Sequence, residues 1–180
     1  MIPFPNKKYN IIYADPAWTY KVWSGKGKEK KSAENHYNCM TIEDIKNLPV
    51  KDIADKNCVL FMWVTYPCLL LGIETINAWN FTYKTCAFSW IKKNKKADSL
   101  FWGLGHYTRA NNEICLLATK GKPKRVSKSV HQVVIDKIRE HSRKPDCVRN
   151  RIVELMGDLP RIELFARQKV QGWDSWGNEV

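Results

Sequence analysis

No two cysteines of this chain are spaced as Cys-x-x-Cys: the six, at positions 39, 58, 68, 86, 115 and 147, fall mostly in apolar runs. That pattern suits reduced thiols in the core of a cytosolic protein. His36, His106, His131 and His141 share no i, i+4 spacing, so no metal site is expected. No apolar run is long enough to span a bilayer, and the opening Met-Ile-Pro-Phe-Pro-Asn has neither the charged head nor the cleavage pattern of a signal peptide. The expectation is a soluble, cytoplasmic protein with no membrane partner. Repeats, heptads and low-complexity linkers are absent as well, and the 180 residues fit one domain, 1–180.

Acidic residues are also scarce. Eighteen Asp and Glu face thirty Lys and Arg, for a net charge of +12, alongside eight Trp, seven Tyr and six Phe. Such a balance points to a polyanion that carries flat rings, and nucleic acid is the commonest partner of that kind. The cations cluster. Residues 120–151 hold eleven Lys or Arg, among them Lys122, Lys124 and Arg125, against only Asp136, Glu140 and Asp146. A second basic stretch, 21–31, surrounds Gly25 and Gly27, a composition that favours a mobile loop.

What is present begins with residues 10–18. Ile11, Ile12, Tyr13 and Ala14 suit a strand covered on both faces, and Asp15-Pro16 then turns the chain out of the sheet. Taken alone, Asp-Pro starts many ordinary turns and Trp18 is an ordinary core residue. Placed at the carboxyl edge of a parallel sheet, where ligands bind, an acid, the Pro16 carbonyl and an exposed Trp18 ring would instead hold a flat amine.

Further along, Thr41 and Asp44 form a capping pair for a short helix ending at Leu48. Strands are expected over 57–65, 85–91, 112–119 and 160–165, with a very short one within 173–180. Helices are expected over 66–79 and 145–156, the latter with Gly157 beyond its end. Alternating strands and helices argue for an α/β domain with a parallel or mixed sheet. Two loops, 19–40 and 92–111, are long enough to be functional or mobile.

Four segments have to be explained together: Asp-Pro-Ala-Trp at 15–18, His-Ser-Arg-Lys-Pro-Asp at 141–146, Arg-Ile-Glu-Leu-Phe-Ala-Arg at 161–167 and Gly-Trp-Asp-Ser-Trp-Gly-Asn-Glu at 172–179. With His36-Tyr37-x-x-Met40 and the runs at 60–65, 90–94 and 112–116 between them, the chain resembles the MT-A70 family. These are S-adenosyl-L-methionine-dependent adenine N6-methyltransferases, which include the eukaryotic messenger-RNA enzyme and small phage and bacterial DNA enzymes. The resemblance implies a circularly permuted class I methyltransferase fold, Rossmann-like, with helices on both faces of the sheet.

It also implies roles. Asp15 and the Pro16 carbonyl would accept the adenine amine hydrogens, Ala17 would shape the same loop, and Trp18 would stack on the base. Lys144 would face the carboxylate of S-adenosyl-L-methionine, Ser142 would offer it a hydrogen bond and Glu163 would meet its ammonium. Phe165, Ala166 and Arg167 would turn beneath the cofactor, Asn178 and Glu179 would grip its ribose, and Lys92 would lie in the same cleft. His36 and Tyr37 would close over the substrate, with Lys122, Lys124 and Arg125 on its backbone. Ala17 departs from the family's usual Asp-Pro-Pro-Trp, which relaxes the loop and adds a backbone donor while keeping both acceptors. The compact length favours DNA over RNA as substrate, with the chain acting alone, as a homodimer or with a partner subunit. A catalytically silent nucleic-acid platform is the rival reading.

Overall fold

Four successive apolar residues lose water together only if a sheet is covered on both sides, and β1 (Tyr9–Ala14) is buried throughout that run. The computed structural model describes residues 2–18, 40–105, 107–140 and 143–180. Because side chains alternate along a strand, Ile12 and Ala14 enter one apolar cluster while Ile11 and Tyr13 enter a second on the opposite face. β2 (Ala54–Val64) divides in the same way. Its Leu60, Met62 and Val64 join the first cluster, and Val59, Phe61 and Trp63 join the second.

Helices close both faces. On the first lie α1 (Ile42–Lys46), α2 (Val50–Ile53) and α3 (Leu69–Ala78), through Ile45, Val50, Ile53 and Ile76. On the second lies α4 (Cys147–Met156), whose Val148, Ile152 and Met156 follow at i, i+4, i+8 and so make one apolar stripe. The Thr41 hydroxyl accepts from Asp44 N and the Asp44 carboxylate accepts from Thr41 N, so the expected capping box opens α1. Gly157 ends α4 at φ +88°.

Seven strands form one sheet in the order β5-β3-β4-β2-β1-β6-β7. β1 pairs in parallel with β2 and with β6 (Arg161–Leu164), and β6 pairs in parallel with β7 (Asp174–Trp176). β4 (Glu113–Lys120) runs antiparallel to both β2 and β3 (Thr82–Lys93), which makes the sheet mixed. The architecture is α/β and Rossmann-like. The strand carrying Asp15 comes first in the chain, whereas β6 and β7, which continue the sheet beyond it, come last.

Several boundaries differ from the sequence reading. The expected helix over 66–79 splits into a 3-10 turn at Tyr66–Cys68 and then α3, because Pro67 occupies the first turn and has no N–H to give. β3 is longer than its apolar centre, since pairing with β4 carries it into exposed residues at its start. β5 (Val133–Lys137) has no counterpart in the sequence reading. It is an edge strand with Val133 and Ile135 exposed, so it lacks the long buried run that marks the others. The loop expected at 19–40 lies outside the described residues except for Met40.

Candidate active site

The strand register sets the site. Ala14 is opposite Leu164, and Leu164 is opposite Trp176. Asp15, Phe165 and Gly177 therefore leave three adjacent parallel strands at one level, on the carboxyl edge. After β1 the chain continues to β2 on one side, while β6 and β7 occupy the other. Such a switch point opens a crevice in doubly wound sheets.

Asp15 does not stand alone there. Lys144, in the segment before α4, places its Nζ 2.9 Å from Asp15 Oδ1 and 3.0 Å from Oδ2. The same Nζ lies 3.2 Å from Glu113 Oε2, and Glu113 Oε1 accepts from Lys92 Nζ at 2.6 Å. Two acids and two cations thus alternate as Asp15, Lys144, Glu113, Lys92 along the carboxyl edge. Burial works against ionising Glu113, yet the Lys144 and Lys92 charges outweigh it and hold its carboxyl below the usual range. Burial likewise works against the Lys144 ammonium, and Asp15 and Glu113 outweigh it, so its pKa is raised. Lys144 also sits 5.7 Å over the ring of Trp63.

Trp18 differs from expectation. Its ring is buried, 6% exposed, within the first-face core, and its Nε1 donates to the Trp63 carbonyl at 2.8 Å. A large apolar ring with one polar handle finds both needs met inside the fold, so it anchors the Asp15 loop instead of offering an open stacking face. The Pro16 carbonyl accepts from Trp18 N at 2.9 Å, which engages one of its two lone pairs.

Glu163 is buried against a guanidinium. Both of its carboxylate oxygens accept from Arg149, with Nε to Oε2 at 2.7 Å and Nη2 to Oε1 at 2.6 Å. A buried carboxylate requires a buried cation with matching geometry, and Arg149 from α4 supplies it. Arg149 also packs its guanidinium 5.7 Å from the centre of the Tyr13 ring.

The turns after β6 and β7 press together. Ala166 N donates to Trp176 O at 3.0 Å, and a Cβ at Gly177 would come within 2.5 Å of Ala166 O. Phe165 takes φ +61° and meets Trp176 edge-on at 5.6 Å. Arg167 Nε approaches Glu179 Oε1 to 4.0 Å, and Asn178 is exposed beside it. Lys92, Lys144, Phe165, Ala166, Arg167, Asn178 and Glu179 therefore share one edge with Asp15, Pro16 and Ala17. Ser142, His36 and Tyr37 lie outside the described residues.

Lys122, Lys124 and Arg125 do not share that edge. β4 runs antiparallel, so its end faces the amino-terminal edge of β2, where Lys122 N donates to Asn57 Oδ1 at 2.8 Å. Val126 N, just beyond, donates to Leu155 O at the end of α4. The antiparallel step, which composition does not reveal, puts them at the edge opposite Asp15. Glu113 and Trp63 were missed as site residues. Both lie in runs that carry the family resemblance, 112–116 for the first and 60–65 for the second, where no role was attached to either.

A family model for MT-A70 matches residues 9–179. The chain belongs to the MT-A70 family. Among similar proteins, the type II methyltransferase M.MunI of Mycoplasma sp is 35% identical over 192 residues, covering 98% of this chain and 79% of that protein. The N(6)-adenosine-methyltransferase catalytic subunit METTL3 of Homo sapiens is 28% identical over 177 residues, covering 96% of this chain but 28% of the human protein. The MT-A70-like N(6)-adenosine-methyltransferase of Arabidopsis thaliana is 28% identical over 176 residues and is covered to 24%. This MT-A70 chain thus spans less than a third of those adenosine methyltransferases. Among its described residues, no group of three or more His, Cys, Asp or Glu could hold a metal, and no helix is long and apolar enough to cross a membrane.

Proposed function

We propose that this MT-A70 chain transfers a methyl group from S-adenosyl-L-methionine to the N6 amine of adenine in DNA. The observation that carries the reading is the shared level of Asp15, Phe165 and Gly177 on three adjacent parallel strands, with the Lys144 ammonium against Asp15. The donor set fits the cofactor's polar ends: Lys144 for its carboxylate, and Asn178 with Glu179 for ribose hydroxyls. Glu163 accepts one hydrogen bond from Arg149 on each oxygen, which leaves a lone pair on each that would accept from the ammonium.

The cofactor supplies an electrophilic methyl on a sulfonium. An adenine amine is a poor nucleophile because its lone pair is delocalised into the ring. Asp15 and the remaining lone pair of the Pro16 carbonyl would accept its two hydrogens, which aims the nitrogen and stabilises the positive charge that develops there. Lys144 engages one lone pair on each Asp15 oxygen, and the others remain to accept an amine hydrogen.

DNA is favoured because similarity is greater to the type II methyltransferase, across 79% of its length, than to the proteins named for adenosine. Labelled methyl incorporation into adenine of matched DNA and RNA oligonucleotides tests both points. Asp15→Ala is expected to lower kcat by about a hundredfold or more. No incorporation by the wild-type chain, or an undiminished rate in Asp15→Ala, removes the catalytic reading, and faster methylation of RNA reverses the choice of substrate.

A further inference from the structure

Between β3 and β4 the chain forms an arm whose base is tightly pinned. Asn111 Oδ1 accepts from Lys92 N at 3.0 Å, its Nδ2 donates to Lys92 O at 2.9 Å and to Phe101 O, and Phe101 N donates to Lys92 O at 2.9 Å. Asn94 adds bonds to Ser99 and to Leu100 O. Higher up, Gly103 N donates to Ala110 O at 2.7 Å, and a Cβ at Gly105 would fall 1.8 Å from Thr108 O, so the two sides of the arm are pressed together.

On this anchored arm, Trp102 is 62% exposed and Leu104 is 79% exposed. Displaying large apolar groups on an ordered support is costly in water and marks a contact surface. Lys96 and Arg109 flank them and have no ion-pair partner among the described residues. The arm leaves the carboxyl edge at Lys92, which is joined through Glu113 and Lys144 to Asp15. Cations, a stacking ring and continuity with the proposed reaction centre coincide in one place.

We propose that Trp102 and Leu104 pack against the bases beside the target adenine, with Lys96 and Arg109 on the adjoining phosphates. The assignment rests on the reading of the Asp15 edge as the active site. It also supplies the open aromatic face that the buried Trp18 does not. Trp102 would stack on any base without reading its edge, and so would hold a strand while the adenine is drawn toward Asp15.

The test compares wild type, Trp102→Ala, Trp102→Phe and Leu104→Ala. Fluorescein-labelled adenine-containing DNA, single-stranded and duplex, is titrated by anisotropy, and S-adenosylhomocysteine by calorimetry. Trp102→Ala is expected to weaken DNA binding by about tenfold, with Trp102→Phe recovering most of it. S-adenosylhomocysteine affinity and circular dichroism should be unchanged. DNA affinity of Trp102→Ala within about twofold of wild type overturns the proposal, as does unchanged affinity accompanied by a change in oligomeric state on size exclusion, which would make the arm a self-association surface. If the wild type methylates adenine while Trp102→Ala binds DNA normally, only the arm's role falls. If binding weakens but no methyl is transferred by wild type, the arm still contacts DNA, while its place beside a target adenine is overturned together with the catalytic reading.

Discussion

Glu113 holds two ammonium groups at once, and its removal would take a carboxylate from Lys144, 9% exposed, and from Lys92. An unbalanced buried charge is costly, so Glu113→Gln should lower stability by about 3 kcal/mol in urea denaturation. The cost should depend on pH. The Glu113 pKa is depressed from its ordinary 4.5, so its contribution is complete above that pH and disappears as pH falls through the lower folded value. The Lys144 pKa is raised from its ordinary 10.5, so its contribution is complete below that pH and is lost as pH rises through the higher folded value. The gap between wild type and Glu113→Gln is therefore flat between these limits and shrinks below pH 4.5. A gap that persists unchanged into acid would show that the charge network is not its source. Residue types at the site were largely legible in the sequence; their partners were not. Arg149 lies within α4 and Glu163 within β6, and only docking of that helix on the sheet brings the guanidinium to the carboxylate.

Among the elements, α3 shows how closely helix and sheet meet. A Cβ on Gly72 would lie 2.5 Å from Val64 Cγ1, on a stiff β-branched side chain in the core. Alanine would favour the helix by about 1 kcal/mol, yet overpacking costs about 1–3 kcal/mol. Gly72→Ala should lower stability in the wild-type background and raise it in a Val64→Ala background, measured by urea midpoints. The same sign in both backgrounds would mean that Val64 does not set the spacing. Element identity followed from local pattern: apolar runs for β1 and β2, the capping box for α1, an i, i+4 stripe for α4. β5 escaped notice because an edge strand needs only one buried face and a neighbour's free hydrogen bonds.

Across the whole molecule, charge is distributed over both edges of the sheet, and only one carries the candidate chemistry. β1 has six residues, which separates the edges by about 20 Å, well beyond the screening length of about 8 Å at physiological salt. Replacing Lys122, Lys124 and Arg125 together with alanine should leave the KM for DNA within about twofold at that salt, with weaker association appearing only at low ionic strength. A large rise in KM at physiological salt would place the substrate across the amino edge after all. By itself, the sequence determined the α/β class, the family, the strand ending in Asp15 and the basic balance that suits nucleic acid, because strand periodicity, caps and motif order are local properties written residue by residue. Only the tertiary structure decided that β4 runs antiparallel and carries Lys122 away from the site, that Trp18 is buried, and that Arg149 claims Glu163. Those outcomes depend on which distant surfaces meet once the sheet is covered, and buried charges and rings take whatever partners that packing brings within reach.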